Sequence, residues 1–336
     1  MRNLITDVAG LRVGHAHDAA IASGVTVAVF DGQATASASI QGGAPGSREV
    51  GLLEPEMAVP KIDAVVLSGG SAFGLDAAGG VVNVLSQWRL GFEIAGLRVP
   101  IASQAILFDL LNGGAKPWLS DPARNRPPYW ELGREAALAV GEDFALGTAG
   151  AGFGATTVNL KGGIGSASAP TRSGHVVGAL VAVNCVGSAV IGDGPHFWAG
   201  ALEREGEYGG FGWPGSIPAD ALALRFKRAA PPSTTIGLVA TDAALSKAEC
   251  KRLAIMAHDG LARALRPTHA PIDGDTLFAA ATGRNSAAVD GIVLTELGQA
   301  AADCVARAIA RGVYEAQALP FAQALPAWKD RFSARR

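Results

Sequence analysis

Two periodicities run along this chain. Residues 25–30 (VTVAVF) have the β-branched run of a strand, and the following Asp31-Gly32 pair is a turn signal that closes it. Residues 64–68 (AVVLS) are apolar on both faces, which predicts a buried strand. After Gly69-Gly70 an Ala/Val/Leu-rich stretch predicts a helix over about 71–90. Residues 176–183 and 189–191 read as strands flanking a turn at Gly187, and 236–240 (IGLVA) as another. Ser246 with Glu249 forms a capping box. Beyond it Cys250, Leu253, Ala254, Ala257, Leu261, Ala264 and Leu265 recur on one helical face until Pro267 ends the run. A short strand over 277–281 and a last helix over about 286–311 complete the pattern. Strands and helices with glycines at their junctions imply layers of sheet and helix.

Between 193 and 232 the pattern lapses. This stretch holds Trp198, Trp213, several glycines and prolines and the charge run 203–207. It reads as a long surface excursion ending at Pro231-Pro232. No internal repeat and no low-complexity tract is present.

Composition narrows the class. The chain has 336 residues, room for one large domain or two ordinary ones. Only 17% of residues are charged, mean hydropathy is +0.25, and 49% are hydrophobic, so the chain folds around a core. With 44 glycines and 6% aromatics, the core must be built from small side chains on closely approaching backbones. Net charge is −2 with no basic block, which argues against a nucleic-acid partner. The three cysteines (Cys185, Cys250, Cys304) stand in dissimilar contexts and read as buried thiols, not as a disulfide framework or zinc site. MRNLITDVAG lacks the apolar run of a signal peptide, and 175–192 falls short of a membrane span. The expectation is a cytoplasmic protein with no membrane partner.

Several motifs are excluded on context. Residues 150–155 (GAGFGA) match the loose dinucleotide fingerprint, but β-prone TTVNL follows, and no acidic residue stands about 20 positions on. Residues 69–74 (GGSAFG) lack the Lys-Ser/Thr of a phosphate loop. His15 and His17 have no carboxylate pattern beside them, and His258 has no helical partner, so no metal or cofactor is expected.

The informative segment is Ser233-Thr234-Thr235 ahead of a buried strand. Its plain reading is a set of strand-opening threonines. Its chemical reading makes Thr234 a new N-terminus. A threonine hydroxyl is a weak nucleophile, and an α-amine on the same residue, with an ordinary pKa of about 7.7–8, can take its proton. That chemistry requires a cut just before the threonine, and an exposed excursion tolerates one. Asp273-Gly274-Asp275 is either a simple turn or a pair of carboxylates able to orient an ammonium and a hydroxyl. Asn184 is either a strand-ending asparagine or an amide donor to an oxyanion.

Taken together, the segments resemble the L-aminopeptidase/D-esterase family, which includes β-aminopeptidases and nylon-oligomer hydrolases. The matching stretches, in family order, are 3–15 (NLITDVAGLRVGH), 42–48 (GGAPGSR), 64–77 (AVVLSGGSAFGLDA), 150–166 (GAGFGATTVNLKGGIGS), 178–184 (GALVAVN), 234–242 (TTIGLVATD), 258–263 (HDGLAR) and 273–278 (DGDTLF). The resemblance implies a four-layer α/β/β/α sandwich over 1–336. It implies self-cleavage into chains 1–233 and 234–336, and assembly into homo-oligomers such as tetramers. It makes Thr234 the nucleophile, Asn184 the oxyanion donor, and Asp273 and Asp275 the acidic pair. Three positions depart from the family pattern. Ser233 stands where relatives often carry Asn or Gly, Phe108 where several place a Tyr in the substrate pocket, and Asn159 where many carry Lys. Lys161, two residues on and on the same face of an extended segment, is the candidate to replace that lysine. The implied activity is hydrolysis of amide and ester bonds through an acyl-enzyme. Its rivals are an acyltransferase of the ornithine-acetyltransferase type and an uncleaved, non-enzymatic binding protein.

Overall fold

The structure is a computed structural model that describes residues 1–227 and 233–332; Pro231-Pro232, where the excursion was expected to end, lies outside the described residues. The strands are β1 (Leu11–Asp18), β2 (Ser23–Ile40), β3 (Ser47–Arg48), β4 (Ile62–Ser68), β5 (Phe92–Ile94), β6 (Leu97–Val99), β7 (Ala102–Ile106), β8 (Gly163–Pro170), β9 (Val176–Asn184), β10 (Thr234–Ala243) and β11 (Thr276–Asn285). The α-helices are α1 (Ala77–Gln87), α2 (Tyr129–Leu138), α3 (Lys247–Ala264), α4 (Gly291–Tyr314) and α5 (Trp328–Phe332).

Strand β2 belongs to two sheets. Its first half pairs with β1 and β4, and its second half, from Thr35 to Ile40, pairs with β11. The first sheet runs β3-β7-β4-β2 with β1 on its far side; the second runs β2-β11-β10-β9-β8. The Asp31-Gly32 pair therefore does not end the strand. Gly32 adopts a φ of +81°, open to a residue without Cβ, and the ladder shifts register between Val29 and Ala34. The chain bends there and continues.

Alternation along the strands sets the layers. Even-numbered positions of β2, β10 and β9, such as Ala36, Ile236, Leu238, Leu180 and Ala182, form a core between the sheets with Val65 and Leu67 of β4. Val25, Val27, Val29 and Val66 pack outward under α1 and α2. Val181, Val183, Val239 and Leu277 pack outward under α3 and α4. The result is the expected α/β/β/α order. Small residues make the layers close: a Cβ on Gly80 would lie 1.9 Å from Trp130 O, and one on Gly165 only 1.8 Å from Ala308 O.

Four local expectations are corrected. The helix predicted over 71–90 begins as a 3-10 turn over Ser71–Asp76, after Gly70 turns the chain at φ +86°, and is α-helical only over α1. Residues 189–191 are no strand, because Ser188 Oγ bonds Val190 O (2.9 Å) and folds the segment back; Val190 makes one bridge, to Phe197. The last helix starts at Gly291, where the Asp290 carboxylate caps Ile292 and Val293 N–H, and β11 reaches Asn285 first. The excursion is not all surface. Phe197 and Tyr208 are buried in the core beneath α4, and Phe197 stacks on Trp328 at 5.7 Å. The α3 capping box and its apolar face are as predicted.

Candidate active site

Thr234 opens β10, the strand between antiparallel β9 and parallel β11. It pairs directly with Asn184. Both occupy the parity that faces the space between the sheets, so their side chains leave the ladder together. Thr234 is 3% exposed.

The peptide before Thr234 is held from two sides. Ser233 O accepts from Gly274 N–H at 2.9 Å and from Thr234 Oγ1 at 2.6 Å, while Ser233 N–H donates to Ile272 O at 3.3 Å. Gly274 has to be glycine here: a Cβ would stand 2.7 Å from Thr234 Oγ1 and 2.8 Å from Ala44 O. The 273–275 segment is itself clamped by the 41–44 turn, with Ala44 N–H on Asp273 O (2.7 Å) and Gln41 N–H on Asp275 O (3.0 Å). A Cβ on Gly42 would fall 2.3 Å from Asp275 N and one on Gly43 2.6 Å from Pro271 O, which accounts for the glycine pair at 42–43.

Asn184 is oriented unambiguously. Its Oδ1 accepts from the Thr156 main-chain N–H (3.0 Å), a group that can only donate, and also from Asn112 Nδ2 (3.4 Å) and Lys227 Nζ (3.3 Å). Its Nδ2 donates one hydrogen to Phe108 O (2.8 Å). Phe108 thus contributes its carbonyl to the site.

The two aspartates have opposite environments. Asp275 Oδ1 accepts from Thr235 N–H (2.9 Å); Oδ2 accepts from Thr268 Oγ1 (2.9 Å), His269 N–H (2.9 Å) and His269 Nδ1 (2.8 Å). Burial works against its charge, but the His269 ring and these N–H donors hold its carboxyl below the usual carboxylate range. His269 takes a left-handed φ of +56° to aim main chain and ring at one oxygen. Asp273 is fully buried, and among the described residues neither carboxyl oxygen has a hydrogen-bond partner of normal geometry. Burial, with the Asp275 charge beside it, pushes its carboxyl well up, while Lys227 pulls the other way.

Two lysines enter the site. Lys161 Nζ donates to the carbonyls of Gly152 (3.0 Å), Ala155 (2.8 Å) and Gly162 (2.7 Å), and burial brings its pKa down to about 7. Lys161 and Asn159 do not share a face. The segment is a tight turn closed by the Thr156–Lys161 bridge and Thr157 N–H on Leu160 O (2.8 Å), not an extended one. The Asn159 amide instead points to Gly192 O and Asp193, and Asn159 lines a cavity of about 640 Å³ with Val158, Leu224, Arg225 and Phe226. Phe108 does not line it.

Residues 3–325 match the sequence profile of Peptidase family S58. The chain belongs to that family. An uncharacterized aminopeptidase of Mycobacterium tuberculosis (strain ATCC 25618 / H37Rv) is 42% identical over 355 residues, 98% of either chain. The 6-aminohexanoate-oligomer endohydrolase of Paenarthrobacter ureafaciens is 30% identical over 82% of this chain and 74% of its own. Among solved structures, a Burkholderia sp. β-aminopeptidase superposes with a TM-score of 0.70 at 23% identity, covering 98% of this chain and 91% of its own. The L-aminopeptidase D-Ala-esterase/amidase of Ochrobactrum anthropi gives 0.69 at 21% identity, with 99% and 93% covered. These two show the fold. This S58 peptidase is an enzyme of the amide-hydrolase class.

Sequence reasoning missed three participants. His269 precedes Asp273 by four residues, and that spacing was the available signal. Gly274 is visible only as the centre of an Asp-Gly-Asp turn. Lys227 carries no local signal, since only the fold returns it to Asn184.

Proposed function

We propose that this S58 peptidase cleaves itself between Ser233 and Thr234 and then hydrolyses short linear amides with the Thr234 hydroxyl as nucleophile. One observation carries the reading: the Ser233 carbonyl accepts from both the Gly274 N–H and the Thr234 hydroxyl, and Thr234 pairs with Asn184 across the ladder. In the first reaction Oγ1 adds to the Ser233 carbonyl carbon, its proton passes to the Thr234 nitrogen, and that nitrogen leaves as the free α-amine, giving an ester. Water hydrolyses that ester to a Ser233 carboxylate and restores the Thr234 hydroxyl. Gly274 N–H is already aimed at the oxygen that becomes negative.

In the second reaction the α-amine takes the Oγ1 proton as Oγ1 adds to a substrate carbonyl. The free hydrogen of Asn184 Nδ2 and a main-chain N–H hold the oxyanion. The amine then protonates the leaving nitrogen, and water hydrolyses the acyl-threonine. Asp275 fixes the main chain at Thr235, one residue beyond the nucleophile. We assign Asp273, buried and bridged to Ser233, to receive the α-ammonium that cleavage creates. Lys161 stiffens the turn that carries the Thr156 N–H.

The substrates proposed are peptides, β-peptides and aliphatic polyamide oligomers, with removal of an N-terminal residue favoured by the name of the 42% identical relative. Esters of the same acyl groups follow from the same chemistry. A homo-oligomer is proposed, supported by the β5–β6 hairpin, which exposes Ile94, Leu97 and Val99. No helix among the described residues is long and apolar enough to cross a membrane. The described cysteines are free, which fits a reducing compartment, and a cytoplasmic location is proposed.

The test is a denaturing gel with N-terminal sequencing. Chains of 233 and 103 residues, the smaller beginning Thr-Thr-Ile, are expected, with one uncut band for Thr234→Ala. A single full-length band in active wild-type protein would remove the reading. Assays with and without a competing amine separate hydrolysis from acyl transfer.

A further inference from the structure

Lys227 is tied twice to the end of β9. Its main-chain N–H donates to Val186 O at 3.1 Å, and its Nζ lies 3.3 Å from Asn184 Oδ1 and 3.5 Å from Asn184 O. It stands seven residues before Thr234, in the excursion that runs toward the scissile bond. A lysine ammonium on an amide oxygen draws electron density from the amide nitrogen and sharpens its N–H as a donor. Asn184 Nδ2 donates one hydrogen to Phe108 O, and Asn184 pairs with Thr234 across the ladder, so its second hydrogen is the one we assign to the oxyanion.

We propose that Lys227 is a positioning residue for the chemistry at Thr234: it polarises and fixes Asn184 so that the free amide hydrogen meets the oxyanion as a stronger donor, in self-cleavage and in substrate hydrolysis. The proposal rests on the self-cleaving reading above. A cation at this point also matches the charge that the reaction creates, since negative charge develops beside Asn184 in both steps.

The charged and titratable groups facing Lys227 are Cys185 just after β9, Asp273 ahead of β11 and Lys161 in the turn before β8. Burial pushes the Cys185 thiol far up, so it stays neutral. Burial lowers Lys227 to about 8, so its charge is lost in the mildly alkaline range. Lys161 loses its charge nearby in pH, and comparison of lysine with arginine at 227 separates the two.

The experiment follows maturation of full-length wild type, Lys227→Met and Lys227→Arg from pH 6 to pH 10 by gel, then measures kcat and KM on matured protein. Lys227→Met should lengthen the maturation half-time and lower kcat, each by about 10-fold, with KM changed less. Lys227→Arg should mature within about 3-fold of wild type at pH 7 and hold its rate further into alkali. If the methionine variant fails to fold, the alkaline displacement by arginine still decides the matter. Equal impairment by Met and Arg, or wild-type maturation and kcat in Lys227→Met, would overturn the proposal while leaving self-cleavage intact. A wild type that never yields a chain beginning at Thr234 would overturn both.

Discussion

Asn184 stands directly across the antiparallel ladder from Thr234, and the two side chains leave the sheet on the same face. The Thr156 N–H fixes the Asn184 oxygen, so the nitrogen is the end left to donate. Asn184→Ala removes that donor and should lower kcat by about 10²–10³ with a smaller change in KM. It should also slow maturation. Kinetics on fully cleaved protein check this, and an unchanged kcat would take Asn184 out of the oxyanion site.

Gly274→Ala tests the space around the proposed nucleophile, Thr234. The new methyl would meet Thr234 Oγ1 at 2.7 Å and Ala44 O at 2.8 Å, while the Gly274 N–H is retained. Displacing the hydroxyl by a fraction of an ångström should slow self-cleavage by about 100-fold, so uncut precursor accumulates. Time-resolved intact mass reads this. Maturation at the wild-type rate would mean that the hydroxyl attacks from elsewhere.

Asp273 supplies a pH test on Thr234→Ala protein, which the proposed self-cleavage would leave as an uncut precursor. Burial and Asp275 raise its carboxyl above the ordinary value, so the folded precursor holds this proton more tightly than the unfolded chain. The stability it lends is complete below the ordinary carboxylate range and is lost as pH rises through the raised value. The melting temperature should therefore fall from mildly acidic to alkaline pH, and Asp273→Asn should flatten that fall. Thermal melts across pH decide it; equal slopes in both proteins would show that Asp273 is ionised and partnered after all.

Glu207 joins the excursion to α4. Its carboxylate accepts from Arg307 Nε (2.6 Å) and Nη2 (3.0 Å), and the two side chains are 8% and 3% exposed. Glu207→Ala leaves a buried guanidinium unpaired and should cost about 3–5 kcal/mol. Arg263→Ala, which breaks the more exposed pair with Asp303, should cost under about 1 kcal/mol. Hydrogen bonds and the Arg307 charge hold Glu207 below its ordinary value against its burial, so its contribution disappears only in acid, as pH falls through that lowered value. Denaturant melts at pH 7 and pH 3 test both points. If cleavage occurs before Thr234, the same contact holds the two chains together.

Much of this protein was legible in its sequence, because local patterning and nearest neighbours decide those features. The runs at 64–68, 176–183 and 236–240 are strands, since their β-branched and apolar runs suit a sheet buried on both faces. The α3 cap is local, four residues closing on themselves. The high glycine content already required close backbones, and the Gly80 and Gly165 contacts are such places. Thr234, Asn184 and the 273–275 turn stand out because each is a polar interruption at the end of an apolar strand.

Tertiary structure decided what sequence separation concealed. Asp31-Gly32 has the letters of a turn, but pairing partners on both sides carry the strand through and make it the hinge between sheets. The two aspartates of one three-residue motif have identical local chemistry. Asp275 meets four donors and Asp273, among the described residues, none in hydrogen-bond geometry, because the donors come from Thr235, Thr268 and His269, which the fold delivers to only one of them. Lys227 stands 43 residues from Asn184 and reaches it only because the excursion returns to the end of β9. Charge, burial and partner number are properties of the assembled site, so no reading of residue types along the chain could assign them.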